Sequence, residues 1–280
     1  MKLKIKVFSY SQLDTFVHRL SGLSKLVCFL LLTTAVMITY DIRMILLVMV
    51  ISIAVMAIAK VRYRQIRLMV IYVLIFLVAN FILTFLFAPE YGVQIYGTRH
   101  VLFSFGGIYV VTQEQMFYQI TQFAKYLSVI PLGMIFFLTT NPSEFASSLN
   151  SIGVSYKVCT SLSLTLRYFP DVQRDYHSIS LAQQARGIDM SKKAKAGERL
   201  KNITAILIPL IFTTMDRIEL ISNAMDLRGF GKSKTRTWYC SRPLKSADYL
   251  SMLGCLLMLI LIIYVRVAVN HSIYYNPFIH

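Results

Sequence analysis

A chain of 280 residues that is 56% hydrophobic, only 15% charged and +16 in formal charge is too apolar for an ordinary soluble domain, in which about a quarter of residues are charged. Its mean hydropathy of +0.59 calls for several runs able to cross a ~30 Å hydrocarbon layer. On such a chain the basic balance excludes nucleic acid as the expected partner and points to an anionic leaflet and acidic partner proteins.

The expected fold class is an all-α integral membrane protein. The start, Met1-Lys-Leu-Lys-Ile-Lys-Val7, is basic but lacks the short apolar core and small-residue cleavage site of a signal peptide, so the first span is expected to serve as its own insertion signal. Five spans follow from the apolar runs: about 26–40, 44–59, 68–87, 120–138 and 249–267. The first two are short and must borrow interfacial residues such as Ser24, Lys25 and Tyr40. Gly92–Gln115 has room for a re-entrant or interfacial element. Lys125, near the start of the fourth span, is expected to snorkel outward as an anchor. Asn80 and Thr84, the main polar residues of the third span, are expected to bond between helices.

Lys and Arg alternate between rich and poor segments. Lys2, Lys4, Lys6, Arg19 and Lys25 precede the first span, and only Arg43, beside Asp41, follows it. Lys60, Arg62, Arg64 and Arg67 follow the second span, and Arg99 stands against Glu90 and Glu114 after the third. This bias gives a cytoplasmic N-terminus, and five spans then put the C-terminus outside. Three regions result: a membrane part over 1–140, a charged helical module over 141–246, and a last span with a short tail over 247–280.

The module reads as consecutive helices. Asn141-Pro142-Ser143-Glu144 has Asn at the N-cap, Pro at the first helical position and Glu in the first turn, and this helix should stop near Gly153. A second run, Tyr156–Phe169, repeats apolar residues at Val158, Leu162, Leu166 and Phe169. Pro170 opens or kinks a third run that ends at Gly187. A last run from about Glu198 to Arg228 carries an apolar stripe through Leu200, Ile203, Leu207, Leu210 and Ile211, with a kink expected at Pro209. Ile203–Phe212 is apolar nearly all round and suits burial against the membrane part. Beyond it Asp216, Glu219, Asn223 and Asp226 form a polar face opposite Met215, Ile218 and Met225. Amphipathicity alone makes that face simply solvated; a charged partner is the other use of it.

Two helix ends stand out: Leu181-Ala-Gln-Gln-Ala-Arg-Gly187 and Asn223-Ala-Met-Asp-Leu-Arg-Gly229. A Gly just past a helix permits the left-handed turn that ends it, and an Arg in the last turn complements the negative end of the helix dipole. Each end alone is ordinary capping. Two in one module, with small Ala182 and Ala224 nearby, suggest arginines that project into grooves of a partner.

Several chemistries are missing. Arg228-Gly-Phe-Gly-Lys-Ser233 is no phosphate loop, because Asp226 occupies the position of the required first Gly and the segment ends a helix instead of starting one. Cys28, Cys159, Cys240 and Cys255 lack zinc or disulfide spacing. His18, His100, His177, His271 and His280 are scattered, and no nucleophile motif is found, so no catalytic, cofactor or metal residue is assigned. The spans offer no charged midplane site of a self-sufficient permease. An energy-transducing scaffold leads; a membrane-embedded enzyme or lipid-handling protein with a basic cytoplasmic surface is the alternative.

The motifs resemble, in order over residues 15–231, the T component of energy-coupling factor (ECF) importers, membrane transporters of prokaryotes driven by ATP-binding-cassette ATPases. Thr15-Phe-Val-His-Arg-Leu20 with Ser24-Lys-Leu26 is similar to the family's approach to the first span. Leu138-Thr-Thr-Asn-Pro-Ser-Glu-Phe145 resembles its start of the coupling region, and Leu166-Arg-Tyr-Phe-Pro170 its Pro kink. Arg217-Ile-Glu-Leu-Ile221 and Ala224-Met-Asp-Leu-Arg-Gly-Phe230 resemble its second arginine helix. The family's tips are typically both Ala-Arg-Gly, and Ala185-Arg186-Gly187 matches. Leu227-Arg228-Gly229 keeps the charge and the glycine but carries a bulkier neighbour. The resemblance implies that Arg186 and Arg228 dock into two ATPases, and that a small substrate-binding S component lies against this chain in the plasma membrane. The cargo would be a vitamin, a vitamin precursor or a metal ion. ATP and Mg would be held by the partner ATPases, with no cofactor on this chain.

Overall fold

Apolar runs broken by short polar turns fold as helices, several of which start on side-chain caps. The computed structural model describes residues 15–59, 63–104, 110–188, 196–233, 237–238, 242–270 and 272–278. The basic residues Lys2, Lys4, Lys6, Lys60 and Arg62, and also Cys240, lie outside the described residues. In chain order the elements are α1 (Phe16–Arg19), α2 (Gly22–Ile38), α3 (Ile42–Ile58), α4 (Tyr63–Phe87) and α5 (Tyr91–Tyr96). A hairpin of β1 (Val101–Ser104) and β2 (Val110–Thr112) follows, then α6 (Gln113–Thr139), α7 (Pro142–Ser151), α8 (Tyr156–Ala185), α9 (Ala196–Leu227) and α10 (Ser246–Tyr264). The chain is an all-α membrane protein, and it divides into two compact units, residues 1–141 with 242–280, and 142–241.

In the membrane unit α4, α6 and α10 are long and apolar enough to cross a bilayer, while α2 and α3 are apolar helices of 17 residues each. At 1.5 Å per residue each of these two reaches about 25 Å, the short end of a span. Side-chain caps set their starts. Ser21 Oγ accepts from Ser24 N at 3.2 Å and Asp41 Oδ1 from Arg43 N at 2.9 Å, each such cap being worth about 1 kcal/mol. Asp248, near the start of α10, accepts from Ser21 N at 2.8 Å, Ser24 Oγ at 2.7 Å and Lys245 N at 2.8 Å, which locks the starts of α2 and α10 together. Ala35 and Val36 of α2, Val48 of α3, Leu132 of α6 and Ile262 of α10 make the apolar core. Phe29 stacks on Phe136 with centroids 5.2 Å apart beside it.

Lys125 does not snorkel outward. It is buried, its Nζ donates to Met37 O at 2.8 Å, and it lies 3.6 Å from the centre of the Tyr40 ring. A carbonyl freed at the end of α2 and an aromatic face satisfy the ammonium inside the unit, so it has no need to reach the interface. Thr84 also departs from expectation: its hydroxyl donates to Asn80 O of its own helix at 2.8 Å. Lys25 is buried too, donating to Thr139 O at 2.8 Å and His18 O at 3.5 Å.

The segment after α4 holds a short helix and a hairpin. Gly92 is required there, because a Cβ would lie 2.5 Å from the backbone N of Gln115. Buried Glu114 accepts from the His100 backbone N at 3.1 Å and pairs with His100 Nδ1 at 2.7 Å, pinning the hairpin to α6. The chain after α10 continues as a π turn over Val265–Val269 and then folds back on this end. Tyr274 meets Tyr40 at 4.7 Å, Asn276 Nδ2 donates to Tyr96 O at 2.8 Å, and Phe278 packs edge-on against Phe117.

In the second unit α7 ends as expected, at a left-handed Gly153 with φ +101°. α8 does not break at Pro170. It runs as one helix of 30 residues, so the expected second and third runs are one element. Pro170 costs it only the bond to Leu166 O, and its exposed side needs no neighbour to close around the ring. α9 likewise continues through Pro209.

Candidate functional site

α8 and α9 pack antiparallel. Arg217 Nη2 donates to Asp175 Oδ2 at 2.6 Å, and Gln183 Nε2 donates to Ala205 O at 3.1 Å. As the α9 partner advances, the α8 partner retreats. The same register brings Arg228 and Phe230 beside the first turns of α8. Together with Tyr156, Thr160 and Leu164 they line a cavity of about 280 Å³, and the Tyr156 and Phe230 rings meet at 5.6 Å. Trp238 Nε1 donates to Asn150 Oδ1 at 3.0 Å nearby. The two arginines therefore stand at opposite ends of one helical hairpin. The rise from Leu164 to Arg186 separates them by roughly 33 Å along α8.

Both ends close in the same way. Gly187 has φ +86° and Gly229 φ +67°. Ile188 N bonds Gln183 O at 3.1 Å while Gly187 N bonds Gln184 O at 3.0 Å; Phe230 N bonds Met225 O at 3.0 Å while Gly229 N bonds Asp226 O at 2.9 Å. These are paired Schellman closures, which use the orphan carbonyls of the last turn. Arg186 and Arg228 each directly follow the last helical residue, Ala185 and Leu227, at the C-cap, with the glycine next. The tightened turn swings them out of the helical run, and both are exposed.

The residues around the tips are open as well. Ala182, Ala185 and Gly187 at the first end and Ala224 at the second are exposed, and Gly229 is half-buried. Leu227 is 90% exposed. Asp216, Glu219, Asn223 and Asp226 form the exposed polar face, with Leu220, 71% exposed, beside it; on the apolar side Met215 and Ile218 are exposed, whereas Met225 is half-buried and lines the cavity. The all-apolar stretch of α9 has one fully buried residue, Ile206 at 1%, whereas Ile203, Leu207, Ile208, Ile211 and Phe212 are exposed. The stripe that faces α8 runs through Ala205, Ile206, Pro209, Leu210, Thr214, Arg217 and Ile221, one turn-face away from the stripe expected from sequence. A helix that is apolar all round has no unique amphipathic phase, so sequence could not select the face. Leu200 and Glu198 belong to α9, but their side chains lie outside the described residues. On α8 Leu162 and Leu166 are half-buried, while Val158 and Phe169 are exposed.

Sequence reasoning missed the partners that set the register. Arg217 sat inside a recognised motif, but Asp175, an isolated acid 42 positions away, gave no signal by spacing. Gln183 inside the first motif was equally silent. Cys159 is buried, and burial pushes its thiol above the ordinary range, which suits a packing group and not a nucleophile. Gly231, in the rejected phosphate loop, has φ +90° and follows the end of α9, as the reading of that segment required.

Comparison with known proteins bears on the chain as a whole. Residues 14–239 match the family described as CbiQ, cobalt transport protein. Among curated relatives, the energy-coupling factor transporter transmembrane protein EcfT of Macrococcus caseolyticus is 29% identical over 150 residues, 51% of this chain and 56% of the relative. EcfT of Exiguobacterium sibiricum is 30% identical over 164 residues, 54% of this chain and 62% of the relative. EcfT of Lactococcus lactis is 30% identical over 173 residues, 59% and 64%. This chain thus spans somewhat more than half the length of these relatives. The family match covers both arginine tips and all helices up to α9, and with it the chain belongs to the CbiQ family of cobalt transport proteins.

Proposed function

We propose that this chain is the transmembrane energy-coupling component of an ECF-type importer. Arg186 and Arg228 each dock into one of two cytoplasmic ATPases, and movement of that pair passes through α8 and α9 to reorient a substrate-binding S component. The cargo is a vitamin, a vitamin precursor or a metal ion. ATP and Mg are bound by the ATPases, and this chain performs no catalysis. It lies in a prokaryotic plasma membrane with its N-terminus in the cytoplasm and its C-terminus outside. Arg242 lies near His18 at one end of the membrane unit and Tyr274 near Tyr40 at the other, an arrangement that suits an odd number of spans.

The observation that carries the reading is the matched pair of glycine-closed, arginine-capped tips at opposite ends of one hairpin. Two identical or related motor subunits need two equivalent contact points held apart, and the separation of roughly 33 Å supplies that. The exposed apolar side of α9 and Leu227 supply partner-facing area that the chain itself leaves uncovered. The similarity to proteins named energy-coupling factor transporter transmembrane protein supports the same assignment.

The test is purification in mild detergent of the chain co-expressed with candidate ATP-binding-cassette ATPases and small S-type membrane proteins. Arg186→Glu with Arg228→Glu should abolish ATPase recovery while leaving the chain folded and inserted. Undiminished recovery and ATP-driven uptake would refute the docking role.

A further inference from the structure

In the membrane unit α2 and α10 run side by side, parallel and in register. Ser21 N meets Asp248 Oδ1 at an offset of 227 residues, and Arg266 Nη1 meets Ile38 O at an offset of 228. The same offset of 227 relates Ala35 to Ile262, both in the apolar core cluster. Ser21, Cys28 and Ala35 follow one another at intervals of seven on α2, and Asp248, Cys255 and Ile262 do so on α10. A repeat of seven keeps one seam turned toward its partner along two parallel helices. Cys28 therefore stands opposite Cys255, between a polar layer and an apolar one.

The pairing is direct, because the two thiols hydrogen-bond to each other. Small Ser21, Ser24 and Ala35 on α2 let the helices approach closely on either side of them. A disulfide needs side chains that already point at one another, and this contact supplies that. Cys28 lies roughly 10 Å along α2 from Ser21, inside an apolar helix. Both cysteines are half-buried and line a half-enclosed cavity of about 270 Å³, with Leu32, Val55 and Leu132 among its mostly aliphatic and aromatic walls. Of the polar residues there, Lys25 donates to Thr139 O, and Ser52 and Ser251 spend their hydroxyls on Val48 O and Ala247 O. Such walls suit a lipid-soluble reagent and not a charged one carried by water.

We propose that Cys28 and Cys255 form a dithiol site for a membrane quinone, which oxidises them to a disulfide that ties α2 to α10. The two S–H bonds break and one S–S bond forms. Two electrons and two protons pass to the quinone, which leaves as the quinol. A quinone is the apolar two-electron acceptor that a respiring membrane holds in solution, and its ring can enter where soluble thiol carriers do not. Cytoplasmic thiols are kept reduced by those carriers, so depth in the membrane is what sets this pair apart. Cys159, in the other unit, donates to Val154 O at 3.8 Å instead. The site is independent of the ATPase contacts assigned to Arg186 and Arg228.

The test uses the full chain in nanodiscs, with Cys159→Ala and Cys240→Ser removing the other two thiols. Decylubiquinone is added without oxygen, and the quinol formed is read by absorbance. One quinol should appear per chain. Denaturation in N-ethylmaleimide should then label neither remaining cysteine, and non-reducing peptide mapping should find residue 28 joined to residue 255. Cys28→Ala and Cys255→Ala should each abolish quinol formation, and either decides should the other fail to fold. Tetrathionate, charged and confined to water, should oxidise the pair far more slowly than the quinone. Absence of quinol, a disulfide between two copies of the chain, or equal rates with the two oxidants overturns the proposal.

Discussion

Reversing the Asp175–Arg217 pair tests whether the register of α8 against α9 matters to coupling. The two side chains meet at 2.6 Å and each is 29% exposed, so the pair is partly screened and not deeply buried. At an effective dielectric of 20 two unit charges 4 Å apart attract by about 4 kcal/mol. Desolvation and the loss of side-chain freedom cancel much of that, leaving about 1–2 kcal/mol net for a pair more enclosed than a surface bridge. Arg217 Nη1 is buried without a hydrogen bond, so removing Asp175 strands a cation that already lacks one partner. Asp175→Arg alone and Arg217→Asp alone should therefore each cost more than 1 kcal/mol in the hairpin, a factor of about 5–30 in its closed population. The double reversal should recover most of it. The assay is ATP hydrolysis and substrate uptake by the reconstituted transporter, with hydrogen exchange of α8 and α9 as the structural readout. If the double reversal behaves as the sum of the two singles, the pair is not what holds the register.

Two other expectations follow from the geometry. Gly229→Val puts a β-branched side chain at φ +67° and should cost about 1–2 kcal/mol locally, visible as faster amide exchange at positions 229 and 230 and weaker ATPase recovery, while exchange at the Arg186 end stays unchanged. Asp248→Ala removes the acceptor shared by Ser21, Ser24 and Lys245. Leaving those buried donors unmatched should cost about 1–3 kcal/mol and lower the thermal midpoint of the purified chain, whereas Ser24→Ala, which removes one of the three, should cost less.

The helices and their ends were legible because composition and glycine act locally. Asn141-Pro142, Gly153, Gly187 and Gly229 carry their conformations in their own covalent structure, and each marks a helix boundary where expected. What stayed hidden depended on neighbours. Pro170 reads as a break, yet a long helix with a solvated side absorbs it. Lys125 reads as an anchor because nothing local announces that Met37 O and the Tyr40 ring will be waiting for it. The face of α9 that meets α8 is undetermined over Ile203–Phe212, where nearly every direction is apolar, and the bonds to Gln183 and Asp175 on the other helix mark it. At the candidate site the arginines and glycines could be found from sequence, but their opposed placement could not, since it requires knowing that two long helices run antiparallel.

Leu227, almost wholly bare at the second tip and one heptad beyond bare Leu220 on the same face of α9, gives the chain on its own a sticky ridge in water. Copies made in excess of their partners should clump or fall to proteolysis, so the cell has reason to produce this chain in step with whatever caps that ridge, and a biochemist to express them from one operon-like cassette.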